Sequence, residues 1–314
     1  MNEASSKYVD QLVLDKLLSE KLQQVHHYPG KDIDLTTSVF DMIKEIEQKQ
    51  LPEFNKNVSG YTFKSVINSG YEENDICPVF SYECENPVAS IVFTHGLFED
   101  NRKIYGFLFE CLNRSGLNVY LCTLPYHYER KPLQSLFSGE YFWSADFERT
   151  RRAFVQGVFD VYSLYSFIKK RNNHDVFLTG FSMGGAVNLV LGAAVKEIKG
   201  ITAINPATSL SEIVWDSPLC KYMKNDFLEA GYTLEQLKIA YKTFEPVSID
   251  IDLFNSDRFM ICYALYDQVT STDIYRQFIE KWKIKNVHEY KAGHLTTLRV
   301  PRLAQDIFDF IGAL

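Results

Sequence analysis

A serine between two glycines stands at the junction of a strand pattern and a helix pattern. The segment Gly180-Phe181-Ser182-Met183-Gly184 follows the apolar run DVFLT and precedes the helical run GGAVNLVLGAAV. This context is typical of a tight, strained turn that exposes the serine hydroxyl, and the glycines let the strand and helix approach closely. A helix N-terminus here favours the anion that forms during acyl transfer. The segment predicts a nucleophilic Ser182; a structural turn without catalysis is the alternative.

Three further segments follow strand patterns and carry groups that a nucleophilic serine needs. One strand ends in VFTHGLF, residues 92–98. Asp267 comes shortly after the apolar run FMICYA, and His294 lies between the last strand pattern and the C-terminal helical run. Together with the serine turn, and in the order Ser, Asp, His, they resemble the α/β-hydrolase superfamily. The resemblance covers most of the chain from Tyr61 onward.

This resemblance implies a role for each residue. Asp267 would orient the imidazole of His294 and stabilise its charged form, and His294 would take the proton of Ser182. In the turn that begins with His95-Gly96 (the HG turn), the next residue, Leu97, would supply one backbone amide of an oxyanion hole, and Met183, the residue after the serine, would supply the other. Their side-chain types carry no information, because the donors are backbone groups.

Competing residues of the same types lack such positions. The other histidines lie in the N-terminal region (His26, His27), beside or within strand starts (His174, His288) or in the HG turn (His95), where a structural role is expected. Asp273 is the alternative acid. It falls in the first turn of a helix that begins near Ser271, where a carboxylate already interacts favourably with the positive helix end.

One stretch departs from the usual pattern of the superfamily. Residues 124–132 read LPYHYERKP, where many relatives carry an Asp-x-x-Gly-x-Gly turn, and they resemble an LPYH-type variant of bacterial members of uncertain substrate. The stretch follows a strand, and ligands of open α/β sheets gather at that edge. Tyr126 and His127 are therefore candidate substrate contacts, with loop-stabilising hydrogen bonds as the alternative. Phe98, beside the HG turn, is a further candidate contact.

Strand and helix patterns alternate from Tyr61 onward, which predicts an α/β fold with a mostly parallel sheet covered by helices on both faces. Several strands are continuous apolar runs, as buried central strands should be. The predicted strands are 61–67, 77–82, 89–94, 118–123, 175–179, 200–204, 258–264 and 287–291. The predicted helices are 103–114, 146–170, 184–196, 271–283 and 301–311.

Two segments fall outside this alternation. Residues 1–60 carry apolar residues at helical spacing and predict a helical extension docked on the domain 61–314, with a dimerisation arm as the alternative. Residues 206–253 are too long for a simple loop and contain helical patterns, which predicts a lid. Apolar residues of this lid, Trp215 among them, would face a substrate cleft or only pack the lid onto the body.

Bulk properties exclude several classes of protein. The formal net charge of the 314 residues is -7 and no long basic run is present, which argues against nucleic acid as a partner. No segment reads as a secretory signal or reaches the roughly 18 uncharged apolar residues of a membrane span. The six cysteines lack CxxC spacing and fit buried free thiols better than disulfides or a zinc site. We expect a cytoplasmic protein.

These features predict a serine hydrolase that cleaves a carboxylic ester of a small molecule through an acyl-enzyme, with no metal or organic cofactor. Thioester hydrolysis, amide hydrolysis and acyl transfer would use the same residues. A non-catalytic binding protein is the alternative from another class, because fold does not fix function. The sequence leaves open the substrate and whether the chain forms a homodimer.

Overall fold

A nine-stranded sheet forms the centre of the computed structural model, which describes residues 2–30, 33, 35, 38–43, 46–250 and 255–314. The strands are β1 (Phe54–Asn57), β2 (Gly60–Lys64), β3 (Ile76–Tyr82), β4 (Ala89–Thr94), β5 (Leu117–Cys122), β6 (Val176–Phe181), β7 (Ile201–Ile204), β8 (Phe259–Ala264) and β9 (Asn286–Tyr290). Their spatial order is β1-β2-β3-β5-β4-β6-β7-β8-β9.

The six strands from β5 to β9 in this order pair in parallel, while β1, β2 and β3 are antiparallel to their neighbours. Antiparallel strands can be joined by a short turn, and β1 and β2 are linked by Val58 and Ser59 alone. Parallel strands need longer crossovers, which the helices provide. The predicted mostly parallel sheet is therefore confirmed.

Helices cover both faces of this sheet. The described helices are α1 (Glu3–Glu20), α2 (Val39–Ile43), α3 (Glu72–Asp75), α4 (Gly106–Arg114), α5 (Phe147–Arg171), α6 (Met183–Ala194), α7 (Leu210–Asp216), α8 (Lys221–Glu229), α9 (Leu234–Tyr241), α10 (Thr272–Trp282) and α11 (Pro301–Gly312). Side chains alternate between the faces of a strand. Accordingly, Phe93 of β4 packs in one core with α4 and α11, while its neighbour Val92 packs in the other core with α5, α6 and α10.

The N-terminal region is only partly the helical extension that the sequence predicts. Helices α1 and α2 match the expectation, but residues 54–57 form the edge strand β1. This strand has one half-buried side chain, Phe54, which stacks on Phe167 of α5 with ring centroids 4.0 Å apart. A run of four residues with a single apolar residue shows no alternation of apolar and polar residues, so its pairing with β2 determines its structure.

The predicted lid contains three helices, α7, α8 and α9, inserted between β7 and β8. Helix α9 begins with a capping box in which Thr233 and Gln236 satisfy each other's backbone amides. The end of the predicted segment, residues 251–253, lies outside the described residues. The helical character of the segment agrees with the sequence pattern.

Two further expectations from the sequence concern free thiols and membrane-spanning segments. All six cysteines are free thiols, and Cys77, Cys122, Cys220 and Cys262 are buried, as the sequence predicts. Within the described ranges, no helix combines the length and the apolar character needed to cross a bilayer.

A buried ion pair holds the LPYH loop that follows β5. The guanidinium of Arg130 lies 2.8 Å from the carboxylate of Asp160 in α5, and both side chains are almost fully buried. Arg130 also donates hydrogen bonds to the carbonyls of Asn74 and Thr123, each at 2.7 Å. Burial raises the pKa of Asp160, and the attraction of Arg130 opposes that rise. The pair thereby ties the loop to α3, β5 and α5 at once.

We expect Arg130→Met to lower the free energy of unfolding by about 3 to 5 kcal/mol, because it leaves the Asp160 carboxylate buried without its partner. Urea unfolding followed by circular dichroism measures the change. Lys199→Met is the matched control, since it removes one half of the exposed pair Lys199–Asp175 and should cost less than about 1 kcal/mol. Equal losses for both variants would show that the buried pair does not hold the loop.

Candidate active site

Ser182 occupies a strained turn between β6 and α6, as the sequence predicts. Its backbone has φ 53° and ψ -117°, a conformation that residues with a side chain rarely adopt. A Cβ on Gly180 would lie 2.4 Å from the carbonyl oxygen of Gly184, and a Cβ on Gly184 would lie 2.2 Å from that of Thr94. Both glycines are therefore required by the close approach of strand and helix, and the partly exposed Ser182 sits at the apex.

His294 and Asp267 form a direct contact at the carboxyl edge of the sheet. The Nδ1 atom of His294 lies 2.7 Å from Oδ2 of Asp267. The same carboxylate accepts hydrogen bonds from the amides of Val269 and Thr270, at 2.7 and 2.8 Å, and from the hydroxyl of Tyr275 at 2.8 Å. This full set of donors fixes the carboxylate, and a proton on Nδ1 leaves Nε2 as the proton-accepting nitrogen of the imidazole.

The surroundings of His294 favour its charged form. Burial alone would lower the pKa of His294, but the nearby carboxylates of Asp267, Asp10 and Glu99 raise it, and the net pKa lies above the ordinary value. These carboxylates stabilise the protonated imidazole. His294 therefore keeps a proton taken from a neighbouring group more readily than a buried imidazole without nearby carboxylates would.

Asp273, the alternative acid, lies elsewhere. It is in the first turn of α10, its amide donates to the hydroxyl of Ser271, and its side chain is 75% exposed. The guanidinium of Arg276 is 3.7 Å from its carboxylate. The structure thus gives Asp273 the helix-end position that the sequence indicates and brings Asp267 to His294.

The predicted oxyanion amides belong to Leu97 and Met183. Leu97 follows β4 in the HG turn, and Met183 is the first residue of α6. Among the described residues, neither amide donates a hydrogen bond to another protein atom. Two unpaired amides beside a partly exposed serine are what an oxyanion hole requires.

Glu99 holds the HG turn in shape. Its carboxylate accepts hydrogen bonds from the amide of Gly96 at 3.0 Å, from the hydroxyl of Tyr128 at 2.7 Å and from the hydroxyl of Tyr105. Burial raises the pKa of Glu99 to about 7, against the opposing effect of these donors. Sequence reasoning gave no role to Glu99.

The buried imidazoles of His95 and His127 accept hydrogen bonds that stabilise the HG turn and the LPYH loop. The Nε2 atom of His95 accepts the amide of Leu124 at 2.9 Å, and that of His127 accepts the amide of Phe98 at 3.3 Å. Both rings are fully buried, and burial lowers the pKa of His127 to about 3. Burial also holds the pKa of His95 well below its usual range. Both imidazoles therefore make hydrogen bonds that stabilise loops, the role expected for His95 and one of the two alternatives for His127.

Ser182 and His294 share one cavity of about 370 Å³, which is at the small end of the range for ligand pockets. Its apolar lining comes from the HG turn, from residues next to Ser182 and His294 in the sequence, from the segments that contain Leu219 and Val269, and from helix α1. These residues are Val13, Leu14, Leu17, Leu97, Phe98, Ile104, Phe181, Leu219, Val269 and Leu295. A carbonyl compound with an apolar portion would fit beside the serine.

The predicted substrate contacts are only partly in this cavity. Phe98 lines it, whereas Tyr126, His127 and Trp215 are not among the described residues that do. Tyr126 has φ 62° and faces a separate groove, where its ring packs against Tyr71. Trp215 packs against Lys224, whose Nζ lies 4.5 Å from the ring centroid. Of the predicted lid, Leu219 lines the cavity.

Asp10 is a site residue that the sequence reasoning missed. Its carboxylate accepts the amides of His294 at 2.6 Å, Leu295 at 3.2 Å and Gln268 at 3.3 Å. The sequence feature that could have identified Asp10 is its spacing from Leu14. Asp10 lies one helical turn before Leu14 and therefore places a carboxylate on the same helix face as that buried apolar residue.

The arrangement combines a partly exposed serine, an imidazole paired with a carboxylate and two unpaired backbone amides, groups of the kind that acyl transfer requires. In the described part of the chain, no three His, Cys, Asp or Glu side chains lie together as a metal site would require.

Comparison with known proteins places the fold. No family model matches the sequence, and no curated protein is significantly similar to it. Among solved structures, the chain is similar to the acetyl xylan esterase from Paenibacillus sp. R4, with 14% identity and a TM-score of 0.62 over 94% of this chain and 99% of that one. It is also similar to acetyl xylan esterase 1 from Thermoanaerobacterium sp. JW/SL YS485, with 14% identity and a TM-score of 0.61 over 93% and 98%.

A third structure, XC6422 from Xanthomonas campestris, is described as an α/β serine hydrolase without a lid. Its identity is 11% and its TM-score 0.51, and the match covers 84% of this chain and 95% of that one. At these identities, what the chains share is the fold.

We expect Gly180→Ala to lower the free energy of unfolding by about 3 kcal/mol, because the new Cβ would overlap the backbone of Gly184. Gly106→Ala is the matched control, since its Cβ would meet no atom within 4 Å in the first turn of α4. It should stabilise the protein by about 0.5 kcal/mol. Thermal unfolding followed by circular dichroism compares the two, and a harmless Gly180→Ala would contradict the steric argument.

Proposed function

We propose that this chain, which has the α/β-hydrolase fold, is a serine hydrolase that cleaves a carboxylic ester of a small molecule through an acyl-enzyme on Ser182. One observation carries the proposal: a serine on a strained turn shares a cavity with a histidine whose Nδ1 is 2.7 Å from a buried carboxylate. The esterases with the same fold support ester hydrolysis as the reaction.

In the first half-reaction, His294 Nε2 takes the proton of Ser182 while Oγ attacks the carbonyl carbon of the ester. The carbonyl oxygen becomes an oxyanion and accepts hydrogen bonds from the amides of Leu97 and Met183. The positive N-terminal end of α6 stabilises the same charge. Asp267 stabilises the imidazolium. When the tetrahedral intermediate collapses, the carbon–oxygen bond to the alcohol breaks and His294 protonates the leaving oxygen.

In the second half-reaction, the same residues act on water. His294 removes a proton from a water molecule as its oxygen attacks the acyl carbon of the acyl-enzyme. The second tetrahedral intermediate uses the same two amides. Its collapse breaks the bond to Ser182 Oγ, which recovers the proton from His294, and the carboxylic acid leaves. The cycle needs only the ester and water.

The cavity favours a small to medium apolar ester. Its volume is about 370 Å³, and most of its lining is Leu, Val, Ile and Phe, although Asp10, Lys16, Lys21, Glu99, Asp100 and Asn101 also contribute. The apolar part of this lining suits an apolar acyl or alcohol group better than a charged one. We therefore propose short to medium acyl esters as the first substrates to assay.

Labelling with a fluorophosphonate tests the nucleophile. We expect Ser182 to be the single labelled serine, because it combines exposure, a neighbouring base and a helix N-terminus. His294→Ala keeps the serine but removes the base, and it should slow labelling at least roughly 10²-fold. Mass spectrometry of the digested protein locates the adduct. Labelling that persists in Ser182→Ala would end the proposal, and that variant should fold normally because one exposed hydroxyl is removed.

The acid is tested by two substitutions of similar size. We expect Asp267→Asn to lower kcat at least roughly 10²-fold, because the amide removes the charge that stabilises imidazolium and can favour the wrong imidazole tautomer. Asp273→Asn is the matched control and should change kcat little. Steady-state kinetics on a panel of esters, with folding checked by circular dichroism, gives the ranking. The reverse ranking would assign the acid to Asp273.

A further inference from the structure

Helix α1 is part of the wall of the catalytic cavity. Val13, Leu14 and Leu17 line the space that also contains Ser182 and His294. At the C-terminal end of the helix, Lys21 forms an ion pair with Asp100, directly after the HG turn. The helix is therefore attached beside the site at its end as well as along its face.

Asp10, in the middle of this helix, contacts the loop that carries His294. Oδ2 accepts the amide of His294 at 2.6 Å and that of Gln268 at 3.3 Å, while Oδ1 accepts the amide of Leu295 at 3.2 Å. The Asp10 carboxylate approaches the backbone of Gly293 so closely that a Cβ on Gly293 would lie 2.5 Å from Oδ2 of Asp10. Asp10 thus bridges the two loops that carry the catalytic acid and base.

An aspartate at position 10 does not stabilise helix α1 itself. Asp has a poor helical propensity in a helix interior, and Asp10 is too far from either end of α1 to serve as a cap. The residue is 1% exposed, so its charge is also costly to bury. Hydrogen bonds from the three amides of the neighbouring loops offset that cost. The favourable interactions of Asp10 are therefore with those loops rather than with its own helix.

Charge adds to this geometry. The carboxylates of Asp267, Asp10 and Glu99 all face His294 and raise its pKa against the effect of burial. In return, His294 and its backbone amide lower the pKa of Asp10, although burial raises it more. Asp267 contacts the imidazole ring, whereas Asp10 contacts the backbone of the same residue, so the two carboxylates constrain different parts of it.

We propose that Asp10 is a positioning residue for the proposed hydrolase: it fixes the backbone of His294 and contributes charge that stabilises the imidazolium. The helix α1 is accordingly a component of the active site rather than a separate arm. The inference rests on the proposed function.

The pH dependence of kcat/KM in Asp10→Asn tests the charge. His294 must be neutral to accept the proton of Ser182, so the acid limb of the profile reports its pKa. Without the Asp10 charge that pKa falls, and the acid limb should move to lower pH. The imidazolium of the transition state is also less stable, and kcat/KM on the pH plateau should fall roughly 10-fold, mostly through kcat.

Two variants complete the set. Asp15→Asn is the matched control, because Asp15 lies on the exposed side of the same helix and its carboxylate bonds to Gln11. It should leave the profile unchanged. Asp10→Glu keeps the charge and should retain the wild-type acid limb even if its longer side chain lowers the rate. If Asp10→Asn does not fold, Asp10→Ser replaces it, since serine removes the charge without adding volume.

A second measurement does not need turnover. Nuclear magnetic resonance of protein labelled at the histidine Cε1 gives the pKa of His294 directly, with its signal assigned from His294→Gln. We expect a lower pKa in Asp10→Asn than in the wild type. An unchanged pKa together with an unchanged profile would overturn the inference, even if stability falls. Absence of fluorophosphonate labelling in the wild type would instead reject the proposed function, and the pKa comparison would still decide whether Asp10 acts on His294.

Discussion

The backbone of Gly184 touches two other parts of the chain, and the site depends on this contact. A Cβ on Gly184 would lie 2.2 Å from the carbonyl oxygen of Thr94 and 2.4 Å from that of His95, while a Cβ on Gly180 would overlap Gly184 itself. The start of α6 is therefore pressed against both the end of β6 and the end of β4. This packing forces Ser182 into its strained turn, and it also brings the HG turn beside the start of α6. The proposed nucleophile and the two proposed oxyanion amides are thus consequences of one close contact.

The sheet brings the other groups of the proposed catalytic site, Asp267 and His294, to this point. Strands β4, β6, β8 and β9 all belong to its parallel part, and parallel strands present their carboxyl ends at one edge. Asp267 follows β8 and His294 follows β9, so these neighbouring strands place the proposed acid and base side by side. Asn205, which follows β7, donates to the carbonyl of His294 at 2.8 Å and accepts the amide of Ala264 at 2.8 Å. Side chains and backbone groups from three adjacent strand ends therefore fix the imidazole.

The sequence was sufficient where a local pattern determines the structure. The serine turn, the HG turn and the acid and histidine loops each follow a recognisable strand, so their meeting at one edge could be predicted. Features that depend on distant partners could not be predicted in the same way. Asp10 and His294 are 284 residues apart in the chain, and the partner of Arg130 lies in the next long helix. The position of Tyr126 and His127 beyond a strand end did not reveal the buried pair Arg130–Asp160 that holds their loop, because Asp160 comes from a separate helix. The strand β1 was missed since its pairing with β2, rather than its own composition, makes it a strand.

The three carboxylates near His294 act on it in different ways, and this difference has a consequence for the electrostatics of the site. Asp267 contacts the ring and Asp10 contacts the backbone amide, whereas Glu99 lies in the HG turn and acts through space. Burial raises the pKa of Glu99 to about 7, and a positive His294 lowers that pKa. Interaction free energies are reciprocal, so the ionised form of Glu99 raises the pKa of His294 by the same interaction. The charged forms of Glu99 and His294 therefore stabilise each other. Because Glu99 also accepts the amide of Gly96, the same ionisation strengthens the hydrogen bond that shapes the turn carrying Leu97. One buried carboxylate thus interacts both with the charge of His294 and with the backbone of the turn that carries Leu97.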